Sequence, residues 1–232
     1  VTAASGSGTE RMVASSRKHQ QGVSLISLMI GLLISLIAVM GMMALYRTVV
    51  HTTAESGSYA RMSGDRSAAV LTAHVHLQEA GFGIDEASLG ADLAFCSANL
   101  AQGQLTVGSC STGRRGKLLL WRTQTSGERC AGLYITPAGD LQYLQPRPCA
   151  GAELSGSWQE QDRARLYTKS LDGAVFESME VIEERCQALG VAGAGSLKVN
   201  LIAHHPVAEA YDAANPDTFL PINSSSCLIN FQ

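Results

Sequence analysis

Charge is absent where this chain is most apolar: between Lys18 and Arg47 there is no Asp, Glu, Lys or Arg. A helix on a water-facing surface needs a polar face, which rules that role out for this stretch. Proline is absent from everything before Pro137, so nothing in residues 23–80 forbids one long helix. Cysteine is absent before Cys96, and the six cysteines contain no C-x-x-C pair; a zinc ribbon or thioredoxin-like site has no basis. There is no G-x-S-x-G, no H-E-x-x-H, no Walker loop and no complete G-x-G-x-x-G. Gly81-Phe82-Gly83 and Gly190-Val-Ala-Gly-Ala-Gly195 read as turns rather than phosphate cradles. No catalytic residue, cofactor or metal site is expected, and the chain is not read as an enzyme. Internal repeats are also missing.

What is present is a long apolar run. Residues 23–45, VSLISLMIGLLISLIAVMGMMAL, are almost continuously apolar. As a helix they extend about 35 Å, enough for a hydrocarbon core of about 30 Å. A buried core helix of that length without one charge is a poor reading. So is a cleaved secretory signal, whose apolar core is about 7–15 residues and ends in a small-x-small site; Met43-Ala-Leu-Tyr-Arg-Thr48 offers none. Arg17 and Lys18 precede the run and place its N-terminal end in the cytoplasm. Everything after about Tyr46 then lies outside, on the periplasmic side, where cysteines in even number read as disulfides.

The length of 232 residues suits one folded domain with appendages. Residues 1–22, rich in Ser, Gly and Ala, read as a cytoplasmic leader with its start at Val1 or Met12. Residues 23–46 are the membrane half of a helix, 47–83 an amphipathic half, and 84–232 an extracytoplasmic head. In the second half Tyr59, Met62, Arg66, Ala69, Val70, Ala73, Leu77 and Ala80 recur at steps of three and four and define one face. Gly57 and Gly64 weaken that half, at about 1 kcal/mol each against Ala, and Gly81-Phe82-Gly83 stops it. Beyond it, residues 117–124 read as a strand. Residues 133–136 and 141–144 read as a hairpin around Pro137-Ala-Gly-Asp140, and 175–182 and 197–203 as further strands. One long helix followed by four or five strands predicts an α+β fold, an antiparallel sheet packed on the helix.

Lys18-His-Gln-Gln-Gly-Val-Ser-Leu-Ile-Ser-Leu-Met-Ile-Gly31 resembles the cleavage region of type IV prepilins. In that family a short basic leader ends in Gly, a dedicated peptidase cuts after it, and the new amino terminus is methylated. The resemblance implies a cut between Gly22 and Val23, with N-methylation of Val23. The long helix running into Gln78-Glu-Ala-Gly-Phe-Gly83 is most similar to PilW-type minor pilins and the related J-type pseudopilins of type II secretion. The likeness covers residues 17–83 and thins out in the head. Two positions depart from the family: Val23 replaces the usual Phe or Met, and Ser27 replaces a nearly constant Glu that pairs with a terminal ammonium during assembly. Pseudopilins of the K type, which sit at a filament tip, also lack that acid. Ser27 therefore points to filament initiation or the tip. The implied partners are other pilins and minor pilins, the prepilin peptidase, an inner-membrane assembly platform and membrane lipid. The implied location is the inner membrane and then the pilus at the cell surface. The alternatives are a type II secretion pseudopilin and a single-pass anchored binding protein that never polymerises.

Six cysteines allow fifteen pairings. Cys130 and Cys149 flank the 133–144 hairpin at nearly matching distances from its turn, which predicts that bridge; nearness then pairs Cys96 with Cys110 and Cys186 with Cys227. His74 and His76 point about 200° apart on a helix, and His204 and His205 face opposite ways on a strand, so neither pair chelates a metal alone. Arg114-Arg115-Gly-Lys117 is the basic cluster of the head. With Glu10, Arg11, Arg17 and Lys18 in the leader, the rest of the chain keeps 14 basic and 19 acidic residues, net −5. That balance favours a solvated loop over a nucleic-acid contact.

Overall fold

The computed structural model describes residues 24–125, 127–149, 154–168, 176–187, 194–204 and 222–232. Helix α1 spans Leu25–Leu77. The chain divides into two compact units, Val1–Ala54 and Glu55–Gln232. In the first, α1 carries no charged residue from Leu25 to Tyr46, and its most apolar 18-residue window has a mean hydropathy of 2.6 with no part buried. It is long and apolar enough to cross a membrane.

The second unit is the last part of α1 together with two antiparallel sheets, an α+β arrangement. Strands β1 (Leu93–Ala101), β2 (Gln104–Ser111), β4 (Leu118–Gln124), β5 (Glu128–Ile135), β6 (Leu141–Pro148), β7 (Ser157–Trp158) and β8 (Arg163–Tyr167) form a seven-stranded sheet in the order β7-β2-β1-β4-β5-β6-β8. Strands β3 (Arg115–Gly116), β9 (Phe176–Gln187), β10 (Ala194–Ala203) and β11 (Ile222–Leu228) form a four-stranded sheet in the order β11-β10-β9-β3. The strands expected from pattern are β4, the β5–β6 hairpin, β9 and β10. That hairpin closes through the Ile135↔Leu141 pair. The expected four or five strands are too few: the described residues hold eleven. β3 and β7 are only two residues each, β8 is a short Arg-Ala-Arg-Leu-Tyr run, and Ser, Asn, Gln and Gly interrupt the apolar residues of β1, β2 and β11.

One core lies between α1 and the sheets. Ala69, Ala73, Leu77 and Ala80 enter it from the helix side. Leu119, Trp121, Ala131, Leu133, Leu141 and Tyr143 come from the seven-stranded sheet, and Met179, Val181, Val199 and Leu201 from the four-stranded one. The predicted helix face is the face that packs: Met62, Arg66 and Val70 are half-buried along it. Small residues dominate the contact, and that lets a helix backbone lie close to a sheet. A second cluster covers the other side of the seven-stranded sheet, with Leu118, Leu120, Tyr134, Leu144, Leu154 and Trp158. The unbroken apolar run at β4 follows from this, since a strand buried on both faces needs no alternation. Trp158 keeps its indole N–H satisfied by donating to the Gln145 carbonyl at 2.9 Å.

The end of α1 is fixed by backbone chemistry. Gly81 and Gly83 adopt φ of +73° and +77°, the left-handed region that a side chain disfavours. At Gly83 a Cβ would also collide with the Gln124 carbonyl oxygen. The Gly81 N–H donates to Arg122 O at 2.9 Å, and the Gln124 N–H to Phe82 O at 2.8 Å, so the turn after the helix is laced to β4. Asn230 Nδ2 donates to the Gln78 and Ala80 carbonyls at 3.2 and 2.8 Å, satisfying acceptors that a helix end leaves open.

Candidate functional site

The stretch with an unusual physical demand is the apolar half of α1. Leu32, Leu33, Ile34 and Met42 are 60, 60, 60 and 74% exposed. Successive helical positions advance by about 100°, so these side chains point to all sides of the helix. An α-helix apolar all round belongs in an apolar medium. Its backbone is satisfied internally, as a bilayer requires. Ser27 stands in the first turn with its side chain exposed, and that turn carries no acidic residue. Gly22, Val23 and the leader 1–22 lie outside the described residues.

In the second unit, α1 is held by polar contacts from the C-terminal strand as well as by its buried face. His74 Nε2 and Ser224 Oγ are 3.1 Å apart. Gln78 Nε2 donates to Ser226 Oγ and to the Cys227 carbonyl, both at 2.9 Å. Burial holds the His74 pKa below the ordinary histidine value. On the other flank the His76 ring stacks on Tyr143 at 3.6 Å between centroids. Glu79 meets both: Oε1 lies 3.3 Å from His76 Nδ1, and Oε2 accepts from the Tyr143 hydroxyl at 3.3 Å. Burial, with the Glu79 carboxylate alongside, pushes the Tyr143 pKa well up, so this hydroxyl stays a donor at neutral pH. These latches were not legible in sequence. β11 reads Ile-Asn-Ser-Ser-Ser-Cys-Leu, a composition that ordinarily marks a loop.

Three disulfides brace the unit: Cys96–Cys110, Cys130–Cys149 and Cys186–Cys227. These are the pairs that the hairpin and nearness arguments favour. Cys96 and Cys110 are cross-strand partners on β1 and β2. Cys186 and Cys227 lie on β9 and β11, with β10 between. Gly195 on β10 makes room, because an added Cβ would strike the Leu228 carbonyl and stand 3.1 Å from Cys227 Sγ.

The remaining polar clusters are engaged within the fold. His74 and His76 contact different elements, as their helical spacing requires. His204 lies 3.1 Å from Glu177, and His205 lies outside the described residues. Arg114 pairs with Glu183 and Arg115 with Glu177, each at 3.1 Å, so two charges of the basic cluster are met by acids of β9. Among the described residues no group of three or more His, Cys, Asp or Glu is placed to hold a metal ion. Comparison with protein-family models, curated proteins and solved structures returned no match.

Proposed function

We propose that this chain is a type IV pilin-like subunit of the minor kind, anchored in the inner membrane and built into a pilus at or near its tip. The observation that carries the reading is the division of α1. Its first half is apolar on every side and holds no charge, while its last turns are a structural part of a disulfide-braced α+β unit. An anchor continuous with a folded head is what a subunit needs if it must wait in a bilayer and then pack into a helical filament.

In this reading the prepilin peptidase cuts after Gly22 and Val23 carries the methylated amine. Residues 23–46 span the membrane with the N-terminus cytoplasmic, and the head is periplasmic and later extracellular. Its partners are other pilins and minor pilins, the assembly platform and lipid. Ser27 supports the tip position. An unpaired charge inside a membrane helix is costly, so a Glu at this position draws each incoming subunit to a neighbouring ammonium. A subunit that starts the filament has no neighbour above it and loses little by carrying a hydroxyl.

Mass spectrometry of the protein from cells with an active prepilin peptidase tests the reading. The expected chain begins at N-methyl Val23, and Gly22→Val blocks its appearance; a different mature start ends the proposal. Proteomics of sheared filaments tests the position separately. Few copies per filament are expected, and stoichiometry near that of the most abundant pilin rules out the tip.

A further inference from the structure

The inner face of the seven-stranded sheet is longer than the helix that covers it. α1 ends at Leu77, and beyond Trp121 and Tyr143 the sheet face continues with Thr123, Thr125, Arg129 and Pro146. Thr123 and Arg129 are cross-strand partners on β4 and β5, so their side chains share a face. With Glu79 and Phe82 from the chain leaving the helix, these residues line a cleft of about 390 Å³. The volume falls at the lower end of the range for small-molecule sites, about 300–1,000 Å³, and is too small to seat a helix or a folded partner.

The chemistry of the walls is uneven. Glu79 is engaged, with one oxygen near His76 and the other on the Tyr143 hydroxyl. The Arg129 guanidinium forms no hydrogen bond or ion pair with the described residues, although nearby Arg122 lies within ion-pair reach of Asp92 and Glu128. The Phe82 side chain is 55% exposed, an uncommon placement for an aromatic ring held on a fixed turn, and Pro146 lies in the same lining. An unopposed guanidinium, an open ring and two threonine hydroxyls complement an anion attached to an apolar body.

We propose that this cleft binds a small monocarboxylate with an aromatic or branched aliphatic body. The carboxylate meets Arg129, whose planar fork suits it, and the body lies against Phe82 and Pro146. The Glu79 carboxylate in the same lining disfavours a second negative charge, which selects monoanions over dianions. The assignment rests on the cleft alone and stands whether or not the chain assembles into a filament.

The test uses the full chain in lipid nanodiscs and equilibrium dialysis of labelled 3-phenylpropanoate, with binding to empty nanodiscs subtracted. Saturable binding is expected, with no binding of 3-phenylpropanamide and weaker binding of the dianion phenylsuccinate. Arg129→Gln, at an exposed position, should weaken binding roughly ten- to hundredfold, as loss of a charge-assisted contact does. Phe82→Ala should weaken it severalfold while circular dichroism and the disulfide map stay unchanged. Absence of saturable binding by the wild type overturns the proposal. So does equal binding of acid and amide, or an affinity that Arg129→Gln leaves unchanged.

Discussion

The two halves of α1 share a backbone and obey different rules. From Leu25 to Val50 the helix is defined by what surrounds every side of it, and Gly31 and Gly41 have nothing within 4 Å of where a Cβ would stand. From Met62 to Leu77 it is defined by one face, on which Ala69 and Ala73 are 2 and 0% exposed. Hydrophobicity alone does not separate these roles. The separation lies in periodicity: apolar residues on every side in one half, at steps of three and four on one face in the other.

The sharpest way to break the comparison is to make the same substitution in each half and follow unfolding of the head in nanodiscs. Leu77→Ala opens a cavity in the core and should cost about 2–5 kcal/mol. Leu33→Ala, where the side chain is 60% exposed within the chain, should leave head unfolding within about 0.5 kcal/mol of wild type. Equal losses from the two would mean that the halves are not distinct environments. A somewhat smaller loss is expected from the double variant Cys130→Ala/Cys149→Ala. The bridge closes a 19-residue separation, for which the chain-entropy model gives about 3 kcal/mol. Denaturation of the wild type under reducing conditions, which opens all three bridges, should cost at least as much, and a variant as stable as wild type would remove the bridge from the account of the head.

How much of this is legible in the sequence follows from the same contrast. The apolar half is a composition signal that needs no partner, so Leu25–Tyr46 could be read directly. The packed face Met62–Ala80 could be read because helical periodicity records which side meets a core. β4 was legible as an apolar run, although its reason, burial on both faces, was not. The β1–β2 hairpin and β11 were missed because Ser, Asn, Gln and Gly interrupt their apolar residues. Tertiary pairing, not local preference, makes them strands. The latches on α1 were hidden with β11, and the cleft beside Arg129 depends on where α1 stops relative to β4 and β5, which no local pattern encodes.

A change of opposite sign sharpens the comparison further. Gly64 lies in the second half, and an added Cβ would meet nothing within 4 Å. Gly64→Ala should therefore stabilise the head by about 0.4–1 kcal/mol through helix propensity and the unfolded chain's entropy. Thermal unfolding in nanodiscs checks this. A loss of stability would show that Gly64 is held for a close approach in the isolated chain.

The smallest effect concerns protons, and it too belongs to one half: residues 25–45 contain no ionisable side chain, whereas His74 lies half-buried beside Ser224 on β11. Burial lowers its pKa in the folded chain, below the unfolded value of about 6.5. Between those two values the unfolded chain binds more protons, so stability rises with pH. The His74 contribution is complete above about pH 6.5 and is lost progressively as pH falls from there through the folded-state pKa. His74→Gln keeps a group able to hydrogen-bond Ser224 and removes the titration. Subtracting the variant's unfolding free energy from that of wild type should give a difference that is flat above neutrality and declines on acidification. The effect should be modest because the ring is only partly withdrawn from water. A difference that stays constant between pH 5 and pH 8, or that grows as pH falls, would show that the neutral imidazole is not the form the latch prefers.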